Sequence, residues 1–251
     1  MSVTTAGVML ITGGGRGIGA ATARLAAQRG YAVCVNYLRD EASAASVVAG
    51  IEAAGGRALA VQGDVAVEAD VVRLFDRAAT LGTVTALVNN AGILERQTRL
   101  DDMDAGRFTR VFATNITGSF LCAREAVRRM STRHGGKGGG IVNVSSMAAR
   151  LGAPGEYVDY AASKGAIDTL TVGLAREVAE EGIRVNAVRP GVIRTEIHAS
   201  GGEPGRVERV KLAVPMKRGG EPEEVARAIL WLLDDESSYS TGAFIDVSGG
   251  R

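Results

Sequence analysis

The stretch MLITGGGRGIGAATARLAAQRG, residues 9–30, contains a short apolar run, a turn rich in glycine and an alanine-rich segment. The apolar run is typical of a buried β-strand, and the alanine-rich segment has apolar residues at helical spacing. A strand followed by a tight turn and a helix is the first part of a βαβ unit, in which the next strand lies parallel to the first. This stretch therefore predicts an α/β protein built on a parallel sheet.

The same alternation continues along the rest of the chain, whose 251 residues are 46% hydrophobic. The pattern predicts helices at 18–29, 41–54, 68–80, 104–132, 157–181 and 223–233, and strands at 8–12, 32–36, 58–62, 86–89, 141–144, 184–188 and 244–247. These strands are almost continuously apolar, as expected of strands that helices cover on both faces. We predict one Rossmann-type domain, residues 1–251, with a doubly wound sheet of about seven parallel strands.

Composition and charge exclude several classes of function. A formal net charge of +1 gives no electrostatic basis for binding nucleic acid or an anionic membrane. No apolar stretch approaches the ~20 residues of a membrane span, and the opening MSVTTAGVMLITGGG lacks the basic region of a signal peptide. Cys34 and Cys122 are expected to be buried free thiols, as is usual in a reducing cytosol. We therefore expect a cytoplasmic protein with neither nucleic acid nor membrane as a partner.

Two segments depart from the alternation. HGGKGGG, residues 134–140, enters the fifth strand at its amino-terminal end, where such sheets carry no chemistry, and we interpret it as a flexible linker. Residues 191–220 follow the sixth strand at the carboxyl edge, where ligands bind in open α/β sheets. A segment this long within a domain is usually functional, and we predict that it forms a substrate lid.

The turn after the first strand reads Thr12-Gly13-Gly14-Gly15-Arg16-Gly17-Ile18-Gly19. Glycines there let the backbone approach a pyrophosphate, and the helix that follows offers free N–H groups at its start. The spacing of Gly13, Gly17 and Gly19 differs from the commonest dinucleotide fingerprint, and methyltransferases and flavoproteins also have glycine-rich loops. The strand–loop–helix context nevertheless favours a nucleotide cofactor.

The end of the second strand distinguishes NAD from NADP. An NAD site usually has an acidic residue there, about 20 residues after the glycine loop, that binds the ribose hydroxyls. This chain has Asn36 and Tyr37 at that point, followed by Arg39, and no carboxylate that would repel a 2′-phosphate. Arg16 and Arg39 are candidates to bind that phosphate, whereas Asp40 is expected to lie near the next helix. The pattern favours NADP(H) over NAD(H).

Residues after the third and fourth strands extend the predicted cofactor site. A carboxylate after the third strand can accept a hydrogen bond from an adenine amino group, or cap the next helix. Small residues after the fourth strand leave room for the cofactor. The residues expected at these positions are Asp64, Val65, Asn90, Ala91 and Gly92, with Asn89 expected to tie neighbouring strand ends together.

Residues suited to proton transfer surround the fifth strand. Tyr160 and Lys164 are four residues apart, so a helix places them on one face, and a lysine ammonium there would lower the pKa of the tyrosine. A tyrosine whose pKa lies nearer the working pH is a better general acid or base. Ser145 and Ser146 end the fifth strand, and Asn115 lies in the helical segment before it.

In this order and spacing, the motifs resemble those of the short-chain dehydrogenase/reductase family across essentially the whole chain. The matching elements are TGGGRGIG, Asp64-Val65, NNAG, Asn115, the serine pair, Tyr160-x-x-x-Lys164 and RPGVIRT at 189–195. The resemblance implies that Tyr160 gives or takes the hydroxyl proton and that Ser146 binds the substrate oxygen. It also implies that Lys164 binds the nicotinamide ribose and lowers the Tyr160 pKa, and that Asn115 holds a water that relays protons. The segment 147–159 is slightly longer than is common in the family, which leaves the choice between Ser145 and Ser146 open.

The resemblance implies further contacts. The nicotinamide would cross the chain at Pro190 and Gly191 and bind the backbone of Ile193 and the side chain of Thr195. The glycine loop would contribute Gly13, Gly15, Arg16, Gly17, Ile18 and Gly19. Candidate pocket residues are Met147, Ala148, Leu151, Glu156, Tyr157 and His198. No metal is expected, because His134 is the only other histidine and no ligand cluster accompanies His198.

The resulting functional hypothesis is an NADP(H)-dependent oxidoreductase that interconverts a ketone and a secondary alcohol. A 3-oxoacyl-carrier-protein reductase and a sugar dehydrogenase of the glucose-1-dehydrogenase kind both fit, with a small carbonyl compound or polyol favoured. Arg128, Arg129 and Arg133 would form a docking patch for a carrier protein, or simply a solvated helix face. A nucleotide-sensing protein without chemistry is the alternative from another class. Family resemblance also implies a homotetramer with contacts through helices 104–132 and 157–181 and the final GAFIDVSGGR.

Overall fold

Seven strands form one sheet in the computed structural model, which describes residues 7–251. The strands are β1 Val8–Ile11, β2 Ala32–Tyr37, β3 Ala58–Gln62, β4 Val84–Asn89, β5 Gly139–Val144, β6 Ile183–Pro190 and β7 Phe244–Val247. Their order is β3-β2-β1-β4-β5-β6-β7, and every neighbouring pair is parallel. The predicted doubly wound parallel sheet is confirmed. Residues 1–6 lie outside the described range. They begin the amino-terminal stretch that we expected not to be a signal peptide.

The helices connect successive strands. They are α1 Gly17–Gln28, α2 Glu41–Ala53, α3 Glu68–Ala79, α4 Ala105–Phe112, α5 Gly118–Met130, α6 Ala148–Leu151, α7 Val158–Glu177, α8 Ile197–Ser200, α9 Arg206–Val210 and α10 Pro222–Leu233. The single helix predicted at 104–132 is two helices, α4 and α5, joined by the π-helical segment Ala113–Thr117. Within residues 7–251, no helix has the length and apolar character needed to cross a membrane.

Side chains of alternating residues build an apolar core on each face of the sheet. Adjacent buried residues of β1 show this, because Ile11 packs with α1, α2 and α10, whereas Leu10 packs with α3, α5 and α7. Cys34 and Cys122 lie in the second of these clusters as free thiols, as predicted, and burial raises the pKa of each to about 12. Both faces of the sheet are therefore covered, which leaves its edges for function.

The glycine run at 134–140 enters β5 at its amino-terminal end, as predicted, but it is not a flexible linker. Gly139 is the first residue of β5, and the amide of Gly138 donates to the Met130 carbonyl at 2.7 Å. A Cβ added to Gly139, whose φ is +152°, would overlap the Thr85 carbonyl oxygen. Glycine is required here because the backbones of neighbouring segments approach closely.

We expect Gly139→Ala to lower the free energy of unfolding by at least ~2 kcal/mol, because neither the backbone conformation nor the space accepts a methyl group. Gly50→Ala is the matched control, since Gly50 lies on the exposed side of α2 with no atom within 4 Å of an added Cβ. That change should stabilise the protein by about 0.5–1 kcal/mol. Urea unfolding followed by circular dichroism measures both effects, and a Gly139→Ala variant as stable as the wild type would contradict the packing argument.

Candidate active site

A cavity of about 1070 Å³ opens at the carboxyl edge of the sheet. It extends from the glycine loop, past the ends of β2 to β6, to the segment at 191–220. The predicted site residues in its wall are Gly13, Gly15, Arg16, Gly17, Ile18, Asn36, Tyr37, Arg39, Asp64, Val65, Asn90, Ala91, Gly92, Ser146, Met147, Ala148, Leu151, Glu156, Tyr157, Tyr160, Lys164, Pro190, Gly191, Ile193, Thr195 and His198. Gly19 and Asn115 lie behind this wall and not in it.

The glycine loop is shaped for close backbone contact. Its φ values are positive at Gly13 (60°) and Gly17 (50°), a conformation that glycine adopts without strain. A Cβ added to Gly19 would lie 2.5 Å from the Gly13 carbonyl oxygen, so the loop and the first turn of α1 can approach only without a side chain. Because α1 begins without a side-chain cap, its first amide groups are free to bind an anion. The loop therefore fits a pyrophosphate.

Buried amide side chains hold this loop in place. Asn36 accepts a hydrogen bond from the Gly13 amide at 3.2 Å and donates to the Gly63 carbonyl at 2.9 Å. Asn90 donates to the carbonyls of Thr12 and Gly13, both at 2.9 Å. These hydrogen bonds of Asn36 position the glycine loop. Asn36 also lies in the cavity wall, and its contact with the cofactor stays a prediction.

Two arginines lie near the end of β2. Asp40 caps α2 by accepting from the Ser43 amide at 3.0 Å, at the place expected from the sequence, and it approaches Arg16 at 3.7 Å. The hydrogen bonds from Ser43 are the main reason that the pKa of Asp40 is lowered, with a smaller effect of Arg16. Arg39 is exposed and forms no ion pair with any residue between 7 and 251. Of the two arginines, Arg39 is therefore the one whose charge no carboxylate of the described residues neutralises.

Asp64 remains in the cavity wall, but it does not cap the following helix. α3 begins at Glu68, preceded by Val67, and Asp64 closes a turn by accepting from the Ala66 amide at 2.9 Å. The Asp64 amide donates to the Asp70 carboxylate at 2.9 Å. These bonds fix the chain after β3. Of the two roles expected for Asp64, capping of the next helix is wrong, and binding of the adenine amino group stays a prediction.

Asn115 lies buried in the π-helical segment, directly behind the cavity. Its Oδ1 accepts from the Ile93 amide at 2.8 Å, and its Nδ2 donates to the Ile93 carbonyl and to Ser163 Oγ, both at 3.1 Å. A Cβ added to Gly92 would lie 3.4 Å from Asn115 Oδ1 and 3.6 Å from Lys164 Nζ. The side chain of Asn115 is thus committed to holding the chain after β4 against α7, close to Lys164.

The two serines after β5 have different surroundings. Ser145 is buried and donates to the Lys164 carbonyl at 3.2 Å. Ser146 Oγ accepts from the Ala148 amide at 3.1 Å, and its hydroxyl is the one that acts to lower the pKa of Tyr160 against the effect of burial. The structure therefore brings Ser146, and not Ser145, to Tyr160.

Tyr160 and Lys164 share one face of α7, but the pKa of Tyr160 is not lowered as predicted. Burial raises the pKa of Tyr160, and the hydrogen bond from Ser146 only opposes that rise. Lys164 Nζ lies 5.5 Å from the centre of the Tyr160 ring and donates to the Val144 carbonyl at 2.7 Å. Burial lowers the pKa of Lys164 to about 8, although Asp168 acts to raise it. The spacing in the sequence predicted the shared face correctly and could not predict this desolvation.

A buried ion pair that the sequence did not predict lies beside Tyr160. Arg107 donates to the Asp159 carboxylate at 2.7 and 3.0 Å, and the two side chains are only 6% and 1% exposed. Arg107 also donates to the Arg96 carbonyl at 2.5 Å. Burial acts to raise the pKa of Asp159, but the hydrogen bond from Arg107 and that from the Tyr160 amide lower it overall. One guanidinium thus joins α4, α7 and the chain after β4.

The segment at 191–220 folds over the cavity and contains the short helices α8 and α9. A parallel bridge joins its two ends. Thr195 packs on the glycine loop, where a Cβ added to Gly17 would lie 2.9 Å from Thr195 Cγ2. His198 Nε2 lies 2.8 Å from the Ile193 carbonyl oxygen. Histidine, cysteine and carboxylate side chains form no metal-binding group of three or more in the described range.

Ion pairs fasten this segment to the residues just before α7. Arg206 donates to Glu156 at 2.5 Å and to Glu203 at 3.4 Å, and its guanidinium lies 5.1 Å from the centre of the Tyr157 ring. Arg209 bonds to the same two carboxylates. Tyr157 was expected inside the helix, but it precedes the first residue of α7 and is 3% exposed. Sequence analysis named neither arginine, because only the fold brings them to Glu156.

Comparison with known proteins identifies the family. A family model described as Enoyl-(Acyl carrier protein) reductase matches residues 13–251. The chain is 60% identical, over 97% of its length and 99% of the relative's, to a protein of Escherichia coli (strain K12) named Uncharacterized oxidoreductase YgfF.

Two solved structures have the same fold and contain a nicotinamide cofactor. The 3-ketoacyl-(acyl-carrier-protein) reductase from Brucella melitensis, complexed with NADH, has a TM-score of 0.90, 32% identity and 98% coverage of both chains. A short chain dehydrogenase from Burkholderia cenocepacia J2315, in complex with NADP, has a TM-score of 0.89, 33% identity and coverage of 97% of this chain and 96% of that one. The chain therefore belongs to the short-chain dehydrogenase/reductase family and is an oxidoreductase of CH–OH donors.

Proposed function

We propose that the protein is an NADP(H)-dependent oxidoreductase that interconverts a ketone and a secondary alcohol. The observation that carries this proposal is that the hydroxyl-bearing side chains of Ser146 and Tyr160 line the same cavity. Two hydroxyls so arranged can bind a single carbonyl oxygen of the substrate. The glycine loop lines the same cavity, so a dinucleotide held there would extend toward them.

The proton moves between Tyr160 and the substrate oxygen. Tyr160 gives its proton in reduction and takes it back in oxidation, while Ser146 donates a hydrogen bond to the oxygen as negative charge develops. The nicotinamide, when bound, supplies or accepts the hydride. Because burial raises the pKa of Tyr160, its neutral phenol is the form present at neutral pH, which suits donation to a ketone.

Lys164 and Asn115 complete the proposed tetrad. Lys164 holds the nicotinamide ribose, and its ammonium stabilises the Tyr160 phenolate that remains once the proton has moved to the substrate. Asn115 acts by position, because its side chain holds Ile93 and Ser163 beside Lys164 and so shapes the path by which protons arrive. Pro190, Gly191, Ile193 and Thr195 would bind the nicotinamide, and the segment at 191–220 is the substrate lid.

A carrier protein is the second candidate substrate, since the Brucella structure is of a 3-ketoacyl-(acyl-carrier-protein) reductase. An acidic carrier needs an unpaired basic surface. Arg128 pairs with Glu125, Arg129 with Glu125 and Asp76, and Arg133 lies 3.9 Å from Glu181, so each arginine of the predicted patch faces a carboxylate. This pairing favours a small carbonyl compound or polyol. A cofactor-sensing protein without chemistry is disfavoured, because Tyr160 and Lys164 are both present.

Tyr160→Phe tests the proton transfer. We expect kcat/KM for carbonyl reduction to fall by about 10²–10⁴, the usual contribution of a general acid. NADPH consumption across a panel of ketones measures it, with Tyr239→Phe as the matched control because Tyr239 is fully exposed. Turnover that survives Tyr160→Phe would refute the mechanism.

The cofactor preference is tested by comparing KM for NADP with KM for NAD. We expect NADP to be preferred and Arg39→Ala to weaken NADP by about tenfold, because a charge-assisted hydrogen bond to a phosphate contributes roughly 1.5–3 kcal/mol. KM for NAD should change little. Arg57→Ala, which changes an arginine outside the cavity wall, serves as control. A clear preference for NAD that Arg39→Ala leaves unchanged would rule out the proposal.

We also propose that the protein is a cytoplasmic homotetramer. Phe120 on α5, within the predicted contact segment 104–132, is 47% exposed, which supports a contact between copies through this helix. Light scattering at micromolar concentration should give about four times the mass of one chain, and Phe120→Asp should give smaller species. A monomeric wild type would contradict this assembly.

A further inference from the structure

Two polar atoms at the lid end of the cavity are buried without a hydrogen-bond partner. They are the hydroxyl oxygen of Tyr157 and Nδ1 of His198, on side chains that are 3% and 9% exposed. Both residues line the same cavity as Ser146 and Tyr160. A polar atom that is removed from water without gaining a hydrogen-bond partner destabilises the folded protein. Two such atoms in one cavity wall point to a ligand group that pairs with them.

The surroundings of His198 define what Nδ1 can do. Its Nε2 lies 2.8 Å from the Ile193 carbonyl oxygen, which can only accept, so the proton is on Nε2. Burial, together with the charge of Arg206, lowers the pKa of His198, so the ring is neutral at pH 7. Nδ1 therefore carries a lone pair and needs a donor.

Tyr157 lies against the end of α8, the helix that carries His198. A Cβ added to Gly201 would lie 3.2 Å from the Tyr157 hydroxyl and 2.9 Å from Leu94. Gly201 follows His198 by three residues at the end of α8. His198 and Gly201 therefore lie on the same face of that helical turn. The Tyr157 hydroxyl can donate as well as accept. One end of the pocket thus offers an acceptor and a donor together.

We propose that this end of the pocket binds a second hydroxyl group of the substrate, which donates to His198 Nδ1 and accepts from the Tyr157 hydroxyl. The proposal rests on the proposed function, because the first hydroxyl is the one oxidised at Tyr160. Neither atom is accessible to water with the lid in this position. The substrate hydroxyl therefore reaches them when α8 moves away from Tyr157.

The charges nearby favour a hydroxyl over an ionised group. Arg206 is already paired with Glu156 and Glu203, so it offers little attraction to a carboxylate. A carboxylate would also direct only lone pairs at His198 Nδ1. An ammonium group would donate to Nδ1 but has no lone pair with which to accept from the Tyr157 hydroxyl. A neutral group that both donates and accepts is the best match.

Oxidation of matched alcohols tests this subsite. The panel consists of cyclohexanol, the 1,2-, 1,3- and 1,4-cyclohexanediols and 4-hydroxycyclohexanecarboxylate, each assayed with NADP. We expect kcat/KM for the best diol to exceed that for cyclohexanol by about tenfold or more, since a paired buried polar group is worth at least ~1.4 kcal/mol. The carboxylate should be no better than cyclohexanol.

Two variants separate the subsite from the rest of the pocket. His198→Gln keeps an N–H for the Ile193 carbonyl and removes the Nδ1 acceptor, and Tyr157→Phe removes only the hydroxyl. Each should reduce the ratio of kcat/KM between diol and cyclohexanol to near one, whereas Tyr239→Phe should leave it unchanged. Tyr157→Phe should also raise the Tm of the free protein by about 2 °C, because it removes an unpaired buried hydroxyl.

The outcomes distinguish this inference from the proposed function. Equal kcat/KM for diols and cyclohexanol in the wild type, a preference for the carboxylate, or a ratio unchanged in both variants would overturn the subsite and leave the oxidoreductase intact. A lower Tm for Tyr157→Phe would also overturn it, since the hydroxyl would then be bonded in the free protein. Failure to oxidise any alcohol, or to reduce the corresponding ketones, would overturn the proposed function itself.

Discussion

All seven strands run in the same direction, and this constraint determines where every candidate functional group lies. Parallel strands are joined by crossovers, so the carboxyl end of each one opens onto the same edge of the sheet. The glycine loop follows β1, Asp64 follows β3, Ser146 follows β5 and Gly191 follows β6, and all of them line one cavity. The strand order runs outward in opposite directions from the neighbouring strands β1 and β4. A crevice therefore forms at the carboxyl ends of these two strands. Residues far apart in the chain meet there without any local sequence signal linking them.

The carboxyl ends of the strands leave backbone N–H and C=O groups buried inside the protein. The side chains of asparagine residues form hydrogen bonds with several of these groups. Asn36 and Asn90 do so for the glycine loop. Asn89 donates to Asn143 at 3.0 Å, and Asn143 donates to Thr171 at 2.9 Å, so β4, β5 and α7 are tied together as expected for Asn89. Hydrogen bonds require a defined distance and angle, whereas apolar contacts have no preferred direction. The floor of the cavity is therefore fixed in position by directional bonds, which suits a site that must hold a reacting atom within hydrogen-bond reach.

The parts of the structure that depend on local spacing were predictable from the sequence, and the parts that depend on long-range packing were not. The strands, the turn at Gly13 to Gly19 and the shared face of Tyr160 and Lys164 follow from period and residue type. The break of the predicted helix at the π-helical segment does not, because the single glycine at its end, Gly118, is equally compatible with an unbroken helix. The ion pair of Arg107 and Asp159 joins residues 52 positions apart. The raised pKa of Tyr160 reflects burial, which only the folded chain creates.

Five consecutive residues at the start of α7, 156–160, contact different parts of the protein. Glu156 and Tyr157 contact the segment at 191–220 through Arg206, Asp159 binds Arg107, and Tyr160 lines the cavity with Ser146. Successive helical residues point in different directions, so one turn can face a neighbouring helix and the cavity at once. The bidentate pair of Asp159 with Arg107 resists displacement of this turn, since breaking it would leave a buried charge without its partner at a cost of about 3–5 kcal/mol. This pair therefore holds the start of α7, and Tyr160 with it, in position beside Ser146.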